Sequence, residues 1–466
     1  MSVPPRSSDS KNWKNNLKTD RHIPPPSDPT HYLLSPSSGQ AALNRLSRHY
    51  EDAVRWVYQE QKLNDRAVRE GDYPIHPKSV PLKFWPEAQP VFWLPEFEAP
   101  HDHFRVFQST SRSLPWYFRG TDGKSYSQLV HPLTVKYFVS RKIDSVSWKK
   151  PRFLATPMSS HRTLLVWGPR STKPPFVIKS SVDVWIGGLN RNVRLKEIKR
   201  SVGISSLFAE LTTAELNRHG ILLLDDSVGL VHKGTNAGLL ARDASAKLGR
   251  GEEIIPIFSL VASREGRPPR IVEMIKRSRL GPTAWVDKYI FRPLIYQAYF
   301  LGMTTGLVGE MHEQNILMEL CDGLPTKRFW HRDLGGFGVD RDLRRLANKD
   351  FTSLPKGIHE RHLGATYPLL HLLLRMYLQG SLGWAIGYAL HRHLNLPLDD
   401  FVKLYNLRAS ELQCLIFSTN GANATTKFEK DLERYRKHNK PIGNWRWRSM
   451  DEALREWRRI ARPETS

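Results

Sequence analysis

Alternation of apolar and polar positions predicts a β-hairpin near residue 320. Residues 306–309 are apolar, residues 316–320 are apolar except for Glu319, and with the polar segment between them they read as one long β run. Asp322-Gly323 is a hairpin turn signal, and the returning strand is predicted to cover residues 326–334. We therefore expect the two strands to pair as part of a packed sheet.

Polar and charged side chains gather in this hairpin. If the turn centres on Asp322-Gly323, antiparallel pairing puts His312 opposite Asp333 and Gln314 opposite His331. The surrounding runs are apolar, and a buried charge in such a setting needs a partner or a ligand. We favour a functional site here over a solvated polar face. The candidate side chains are Glu310, His312, Gln314, Asn315, Arg332 and Asp333.

Other segments give a mixed helix and strand pattern. Helical periodicity predicts a helix over residues 41–68. Residues 133–261 read mainly as strands, with one helix near 195–219. A further helix is expected over residues 293–305, ahead of the hairpin, and the chain then ends in a largely helical part.

Composition narrows the class of protein. At 466 residues the chain is long enough for roughly three domain-sized units. Its most apolar segment, residues 368–391, is interrupted by Arg375 and Gln379, so we expect a buried helix rather than a membrane span. Cys321 and Cys414 are the two cysteines, and they lack the paired spacing of a zinc or iron–sulfur site. The cytoplasm is the default compartment.

The chain is strongly basic. A formal net charge of +24 and a pI near 10.0 imply attraction to anions, which include nucleotides, polycarboxylates, nucleic acids and membrane surfaces. Charge spread evenly over a solvated surface is the alternative. Residues 1–40 are rich in Ser, Pro, Asn and Lys and show little apolar pattern, so they are predicted to be a disordered basic leader.

A second group of polar residues surrounds a predicted strand pair. Residues 164–167 read as a strand, a Gly/Pro-rich loop covers 168–175, and residues 176–181 read as the returning strand. Forked guanidinium donors, an ammonium and hydroxyls in one neighbourhood suit a phosphate, although exposed basic residues on strands are also common. The candidates are Ser160, Arg162, Thr163, Lys179 and Arg191.

Together these motifs resemble the IucA/IucC family, the NRPS-independent siderophore synthetases. That family has a Ser-x-Arg-Thr element, a Lys followed by an Arg twelve residues later, and a His-x-Gln-Asn element followed by Arg-Asp. The same elements occur here in the same order, as Ser160-His161-Arg162-Thr163, Lys179 with Arg191, His312-Glu313-Gln314-Asn315, and Arg332-Asp333. Three upstream segments also resemble family elements: residues 73–77, 94–97 and 130–132.

The resemblance implies an α/β (α+β), hand-like enzyme with antiparallel sheets in its central and C-terminal parts and ATP held between those parts. The implied divisions are a disordered leader (1–40), a thumb-like part (41–130), a fingers-like ATP-clamp domain (131–265) and a palm-like domain with a helical end (266–466).

The resemblance also implies an ATP- and Mg²⁺-dependent ligase of siderophore biosynthesis. Such enzymes adenylate a citrate-like acid and condense it with an amine, hydroxylamine or alcohol. The implied catalytic residues are Arg162, Lys179, Arg191 and His312. The implied ATP-binding residues are Ser160, Thr163, Glu310, Gln314, Asn315, Arg332 and Asp333, of which Glu310 and Asp333 are candidates for Mg²⁺. The resemblance leaves open whether the protein forms a homodimer, and nucleic acid is not an expected partner.

The chain departs from the family pattern at three motif positions. Tyr73 stands where the family usually has His, Gly187 where a nucleotide-contacting Thr is common, and Glu313 where Gly is usual. The basic charge is also unusual for the family. These departures leave a specialised substrate or a reduced activity open.

A kinase-like phosphotransferase is one alternative. His331-Arg332-Asp333-Leu334 spells the start of a kinase catalytic loop. Gly338 stands where that loop has Asn, however, and neither an Asp-Phe-Gly motif nor a glycine-rich loop accompanies it.

A nucleic-acid-binding protein is the other alternative. Asn444-Trp445-Arg446-Trp447-Arg448 and the arginine-rich helix predicted after it combine stacking rings with cations, which suits single strands. The same tryptophans would also serve to pin a terminal helix to the domain.

Overall fold

A computed structural model describes residues 25–64, 80–109, 113–141, 143, 146–169, 173–186, 189–243, 252–263, 267–352, 354, 359–360, 370, 373–406 and 408. Several predictions lie outside these residues. They concern the first part of the leader, Tyr73, Gly187 and the aromatic, basic segment 444–448.

The described strands, in chain order, are β1 (Phe92–Pro100), β2 (Phe104–Gln108), β3 (Ser125–Leu129), β4 (Ser147–Pro157), β5 (Thr163–Trp167), β6 (Phe176–Ser180), β7 (Val182–Ile186), β8 (Leu189–Arg191), β9 (Ile221–Leu223), β10 (Asp225–His232), β11 (Leu239–Asp243), β12 (Glu252–Pro256), β13 (Leu307–Val308), β14 (Ile316–Cys321), β15 (Leu324–His331), β16 (Gly338–Val339) and β17 (His359–Glu360).

The described α-helices are α1 (Pro36–Ser47), α2 (Glu51–Lys62), α3 (Val135–Ser140), α4 (Leu195–Phe208), α5 (Thr213–Arg218), α6 (Ile257–Val261), α7 (Arg270–Ser278), α8 (Pro282–Val286), α9 (Arg292–Thr305), α10 (Arg341–Leu346) and α11 (Trp384–Leu394). Two π-helical segments, Asp287–Phe291 and Leu374–Gly383, lead directly into α9 and α11.

Two of the predicted helices are each divided in two. The region predicted as one helix over 41–68 forms α1 and α2, and the region near 195–219 forms α4 and α5. A capping box causes the second division: Thr212 accepts the backbone N–H of Glu215, and the Glu215 carboxylate accepts the N–H of Thr212. The helix predicted over 293–305 is confirmed as α9.

The described chain forms two compact units. The first contains residues 25–62 and 80–202 together with β10 and β11, and the second contains Gly203–Leu224 and the residues from β12 onward. The division after Val202 falls inside α4. The four-part organisation expected from the sequence stays a prediction.

The first unit is built on an eight-stranded sheet with the order β2-β10-β11-β6-β5-β4-β1-β3, in which all neighbours are antiparallel. One face carries the main core, to which β5 contributes Leu164 and Val166 and β6 contributes Ile178. Because side chains alternate along a strand, Thr163 and Lys179 lie on the opposite face.

Helix α4 packs on that opposite face. Its Ile198 belongs to a small core with Leu240 of β11, the residue that pairs with Lys179. Gly229 of β10 permits this close approach, because a Cβ at that position would lie 2.3 Å from Ile198 Cγ2. The first turn of α4 is thereby held over the sheet face that carries Lys179.

The second unit combines a mixed sheet with helices. The strands of this four-stranded sheet run in the order β12-β14-β15-β9, and within it the β15–β9 pair is parallel while the other two pairs are antiparallel. The apolar segment predicted as a buried helix contributes Leu378, Leu382, Ile386 and Leu390 to the core, all fully buried, so that prediction is confirmed over its described part. Among the helices described, none has the length and apolarity needed to cross a bilayer.

The predicted hairpin is only partly right. Its turn is confirmed, because Cys321 pairs with Leu324 and Gly323 has a φ of +77°. The first strand is shorter than predicted, since β14 begins at Ile316 and residues 309–315 form a loop. The residues before that loop, β13, pair with β16 instead.

A bulge in β15 overturns the predicted facing pairs. Leu320 pairs with Pro325, but Met318 pairs with Phe329, and Lys327 within the bulge has a φ of +68°. The register is shifted by two residues, so Ile316 and not Gln314 faces His331. The expected pairing of His312 with Asp333 is wrong for the same reason.

A buried ion pair ties β10 to β11 in the first unit. Arg242 donates from Nε and Nη2 to the two carboxylate oxygens of Asp226 at 2.8 and 3.0 Å. The Asp226 side chain is fully buried, and that of Arg242 is 4% exposed. Removal of one partner would leave an uncompensated buried charge.

We predict that Arg242→Met lowers the free energy of unfolding by about 3–5 kcal/mol. The measurement is urea denaturation followed by tryptophan fluorescence. The double variant Arg242→Met/Asp226→Leu should regain much of the loss, and Arg105→Met, at an exposed position of β2, serves as the control. A loss no larger than that of the control would contradict the role given to this pair.

Candidate functional site

A hydroxyl-bonded turn positions the start of β5. Ser160 Oγ donates to Thr163 Oγ1 at 3.1 Å and accepts the Thr163 backbone N–H at 3.3 Å. The Thr163 carbonyl accepts the N–H of Met158 at 2.8 Å. The hydroxyls of the Ser-x-Arg-Thr element thus close the turn that carries Arg162 at the head of the strand.

The pairing of β5 with β6 brings three of the predicted residues together. Thr163 lies opposite Lys179, and the Ser180 N–H donates to the Arg162 carbonyl at 2.7 Å, which confirms the predicted antiparallel pairing. Lys179 is only 6% exposed. A buried ammonium is stabilised by acceptors or negative charge close to it, so this position suits an anion.

Glu197, on the first turn of α4, is a neighbour that sequence reasoning missed. Its carboxylate Oε2 lies 3.4 Å from Arg162 Nη1. The Arg162 side chain is 15% exposed and that of Glu197 is 32% exposed, so the pair is reachable from solvent. An incoming anion would compete with Glu197 for the guanidinium.

Arg191 is held in a separate two-stranded piece. It ends β8 and pairs with Val182 of β7. The Ser181 hydroxyl fixes the neighbouring backbone, because it donates to the Gly238 carbonyl and accepts the Val193 N–H, both at 2.8 Å. Arg191 is therefore carried on a braced hairpin that directly follows the Lys179 strand.

His131, in the His-Pro step after β3, lies near His161 of the Ser160 turn. Burial, and secondarily the charge of His161, lower the pKa of His131 to about 3. Its Nδ1 accepts the Leu133 N–H at 3.1 Å, which leaves the ring proton on Nε2. The structure therefore adds a neutral, buried imidazole to this neighbourhood.

In the second unit, a loop of residues 309–315 carries the His-x-Gln-Asn element. The Glu310 carbonyl accepts the His312 N–H at 3.0 Å and the Asn315 side-chain amide at 3.2 Å. His312 Nδ1 accepts the Gln314 N–H at 3.2 Å, so Nε2 carries the proton of the neutral ring. The loop thus fixes the His312 tautomer.

Arg332 braces this loop from the end of β15. Its Nε donates to the Gln314 carbonyl at 2.7 Å, and its backbone N–H donates to the Asn315 carbonyl at 3.1 Å. Arg332 and Asn315 are 4% and 6% exposed. Both were predicted to bind ATP, and the structure gives both a part in holding the loop.

The two candidate Mg²⁺ carboxylates flank one tight turn. Asp333, with a φ of +60°, begins the 3₁₀ turn Leu334–Gly336, and its backbone carbonyl accepts the Gly336 N–H at 2.8 Å. A Cβ at Gly336 would lie 2.9 Å from Glu310 Oε2, so the Glu310 carboxylate lies directly against this turn.

Carboxylate oxygens such as those of Glu310 and Asp333 are ligands that Mg²⁺ takes when it is bound together with a nucleotide. The ion takes one or two protein carboxylates and completes its shell with phosphate oxygens and water. A self-sufficient metal site is not expected, and within the described residues no group of three or more His, Cys, Asp or Glu side chains could hold a metal.

The π-helical segment Leu374–Gly383 supplies two further neighbours of the loop. Tyr377 donates from its hydroxyl to Glu310 Oε1 at 3.3 Å, and its ring centroid lies 5.7 Å from that of His312. Ser381 donates to the carboxylate of Glu313. No local pattern links these residues to the loop, which lies more than sixty positions earlier in the chain.

Comparison with known proteins places this geometry in context. Three solved structures share the fold. The petrobactin biosynthesis protein AsbB of Bacillus anthracis has a TM-score of 0.60 and 15% identity, over 86% of this chain and 75% of that one. Two are from Klebsiella pneumoniae: the ATP-bound aerobactin synthetase IucA, with a TM-score of 0.58 and 15% identity over 81% of this chain and 75% of that one, and the aerobactin synthetase IucC, with a TM-score of 0.55 and 18% identity over 82% and 75%. This is the fold of the siderophore synthetases.

One sequence relative agrees with that fold. The L-2,3-diaminopropanoate–citrate ligase of Staphylococcus aureus is 25% identical over 201 residues, a match that covers 40% of this chain and 34% of the relative. The chain thus spans about a third of that relative's length. No protein-family model matches the chain.

The resemblance to the IucA/IucC siderophore synthetases and the predicted α/β (α+β) fold class are confirmed. Each of the two candidate clusters lies at a structured position of its own unit. In the first unit the Ser-x-Arg-Thr turn and Lys179 meet on the β5–β6 ladder. In the second unit Arg332 contacts the His-x-Gln-Asn loop through hydrogen bonds to the loop's carbonyl oxygens.

We predict that Tyr377→Phe reduces activity by roughly 5- to 30-fold, because the Glu310 carboxylate loses a donor worth about 1–2 kcal/mol. Steady-state kinetics at varied Mg²⁺ measure the effect. If Tyr377 positions the Glu310 carboxylate, the variant should need a higher Mg²⁺ concentration to reach half of its maximal rate. Tyr388→Phe, at an exposed position of α11, is the control, and equal behaviour of the two variants would refute the role.

Acid pH should destabilise the fold through His331. Its Nε2 lies 3.0 Å from Gln297 Oε1, and burial lowers the pKa of His331 to about 4. The unfolded chain takes up this proton near pH 6.5, before the folded chain does, so stability falls as the pH drops from about 6.5 to about 4. Denaturation of His331→Gln across this range should show a shallower fall, and an unchanged slope would contradict the assignment.

Proposed function

We propose that this protein is a cytoplasmic, ATP-dependent carboxylate ligase of siderophore biosynthesis. It activates a citrate-like acid as an acyl-adenylate and transfers the acyl group to an amine or hydroxylamine. The observation that carries the proposal is the pairing of the Arg162–Thr163 step with Lys179 on β5 and β6, in a fold shared with an ATP-bound synthetase.

The cations of the first unit suit the adenylation step. A carboxylate oxygen of the acid attacks the α-phosphorus of ATP, the bond to the bridging oxygen of the β-phosphate breaks, and pyrophosphate leaves. Negative charge shifts onto the phosphoryl oxygens and the departing group. Arg162, Lys179 and Arg191 are proposed to stabilise that charge, since fixed cations do so with little reorganisation.

Glu197 gives Arg162 a fixed position before ATP binds. A guanidinium on a long side chain loses rotamer freedom when it is ordered. The Glu197 contact orders Arg162 in advance, and exchange of the carboxylate for a phosphate oxygen keeps the guanidinium paired throughout.

The loop of the second unit suits the nucleotide and its metal. Glu310 and Asp333 are proposed to hold Mg²⁺, which would supply charge neutralisation to the phosphates. His312 is proposed to donate a hydrogen bond from Nε2, and the Gln314 side chain is proposed as a nucleotide contact. Arg332 and Asn315 act by holding the loop in shape.

The second step needs no enzyme nucleophile. The nitrogen lone pair of the acceptor attacks the acyl carbon, the carbon–oxygen bond to AMP breaks, and the nitrogen loses a proton. The neutral acceptor is the reactive form, so the rate should rise with pH until the acceptor is deprotonated.

Pyrophosphate release tests the proposal. Purified protein is given ATP, Mg²⁺, a panel of carboxylic acids and a panel of amines and hydroxylamines. We expect acid-dependent release of pyrophosphate and AMP, reduced roughly 100-fold or more by Arg162→Ala or His312→Ala. Arg119→Ala and His391→Ala, both at exposed positions, are the matched controls.

The nucleotide product distinguishes the proposed ligase from a kinase-like phosphotransferase. Release of ADP in place of AMP and pyrophosphate would support a phosphotransferase and overturn the ligase. Acid-dependent pyrophosphate release that persists in both site variants would contradict the assigned residues while leaving the reaction in place.

A further inference from the structure

A cavity in the first unit lies away from every residue assigned above. Its volume is about 200 Å³, and it opens between the C-terminal end of α1 and the ends of β4 and β5. Trp167 lines it at the last position of β5, whereas the Ser160 turn precedes the first position of that strand. Trp167 lies four residue steps along the strand from Thr163, roughly 13 Å at about 3.3 Å per residue.

The floor of the cavity is apolar and rigid. Leu154 of β4 and Trp167 of β5 are direct cross-strand partners, and both are almost fully buried. Ala42 and Leu46 of α1 complete the apolar lining. Because these side chains belong to a paired ladder and a packed helix, the cavity has a fixed shape.

The rim is basic and polar. Arg45, Arg48, His49 and Tyr50 line it, from the last turn of α1 and the link to α2. The two arginines are three residues apart and therefore neighbours on the helix surface. The link is fixed, since the N–H groups of His49 and Tyr50 both donate to the Leu46 carbonyl, at 3.1 and 2.9 Å.

The two rim arginines carry uncompensated charge. Within the described part of the chain, neither Arg45 nor Arg48 has a hydrogen-bonded or ion-paired acidic partner. The nearest acidic residues in the sequence, Glu51 and Asp52, instead face Arg55 at 2.8 and 3.5 Å. Cations in a last helical turn also complement the helix dipole, but that effect requires neither a cavity nor an apolar floor.

We propose that this cavity is an oxyanion site, separate from the ATP clamp, for a small molecule that carries carboxylate or phosphate groups. Two guanidinium groups suit oxyanions through forked hydrogen bonds. The volume lies below the roughly 300–1,000 Å³ of pockets that hold drug-sized ligands, which favours a compact acid over a nucleotide.

Arginine footprinting tests the site directly. The full chain is treated with phenylglyoxal, alone and with citrate or inorganic phosphate, and adducts are quantified by peptide mass spectrometry. We expect the anion to protect Arg45 and Arg48. Arg105 and Arg119, which are also exposed and lie in the same unit, should be modified equally with and without it.

Equilibrium dialysis with labelled citrate and labelled phosphate measures the affinity. Arg45→Gln/Arg48→Gln should weaken binding about tenfold or more, since both forked, charged hydrogen-bond donors are lost. Arg105→Gln/Arg119→Gln removes the same charge and should change affinity less than about twofold. Circular dichroism checks that both variants fold.

The two anions distinguish the ligand class. Protection by citrate alone assigns the site to carboxylic acids, protection by phosphate alone assigns it to phosphate compounds, and protection by both assigns it to oxyanions generally. Equal protection of all four arginines, or none at saturating anion, overturns the proposal. Arg162→Ala should leave the footprint unchanged, so failure here is distinguishable from failure of the proposed ligase activity.

Discussion

The antiparallel ladder between β5 and β6 is the constraint on which the candidate chemistry depends. It sets Thr163 opposite Lys179 and ties the Arg162 carbonyl to the next strand. The main core holds the other face of the same strands, so the ladder cannot slip by one residue without turning Lys179 into that core. The cation is therefore positioned by the packing of the whole sheet.

In the second unit the candidate polar residues are held in place differently, because most of them lie on a loop rather than on a strand. Backbone groups in such a loop need partners, and Arg332 and Asn315 supply them from within the motif. The π-helical segment adds Tyr377 behind Glu310. Arg332 and Asn315, which the sequence suggests as ligands, thus also shape the loop.

Local signals predicted the parts of the fold that depend on neighbouring residues. Apolar alternation and a short loop were enough for the β5–β6 pair, and Asp322-Gly323 was enough for the turn before Leu324. The bulge at Lys327 was not predictable, because a positive φ at lysine is unfavourable locally and is imposed by the sheet. Glu197 and Tyr377 were missed for a related reason: their partners are distant in sequence, and no spacing rule connects them.

Isotope transfer from the acid to the nucleotide tests directly whether the reaction passes through an acyl-adenylate. Citrate labelled with ¹⁸O in its carboxylates, or another acid that supports turnover, is incubated with ATP, Mg²⁺, an acceptor and the protein. We expect one ¹⁸O atom in the AMP released, because the attacking carboxylate oxygen stays on the α-phosphorus when the acyl group is transferred. Turnover that yields unlabelled AMP, or label in inorganic phosphate with ADP as the nucleotide product, would contradict it.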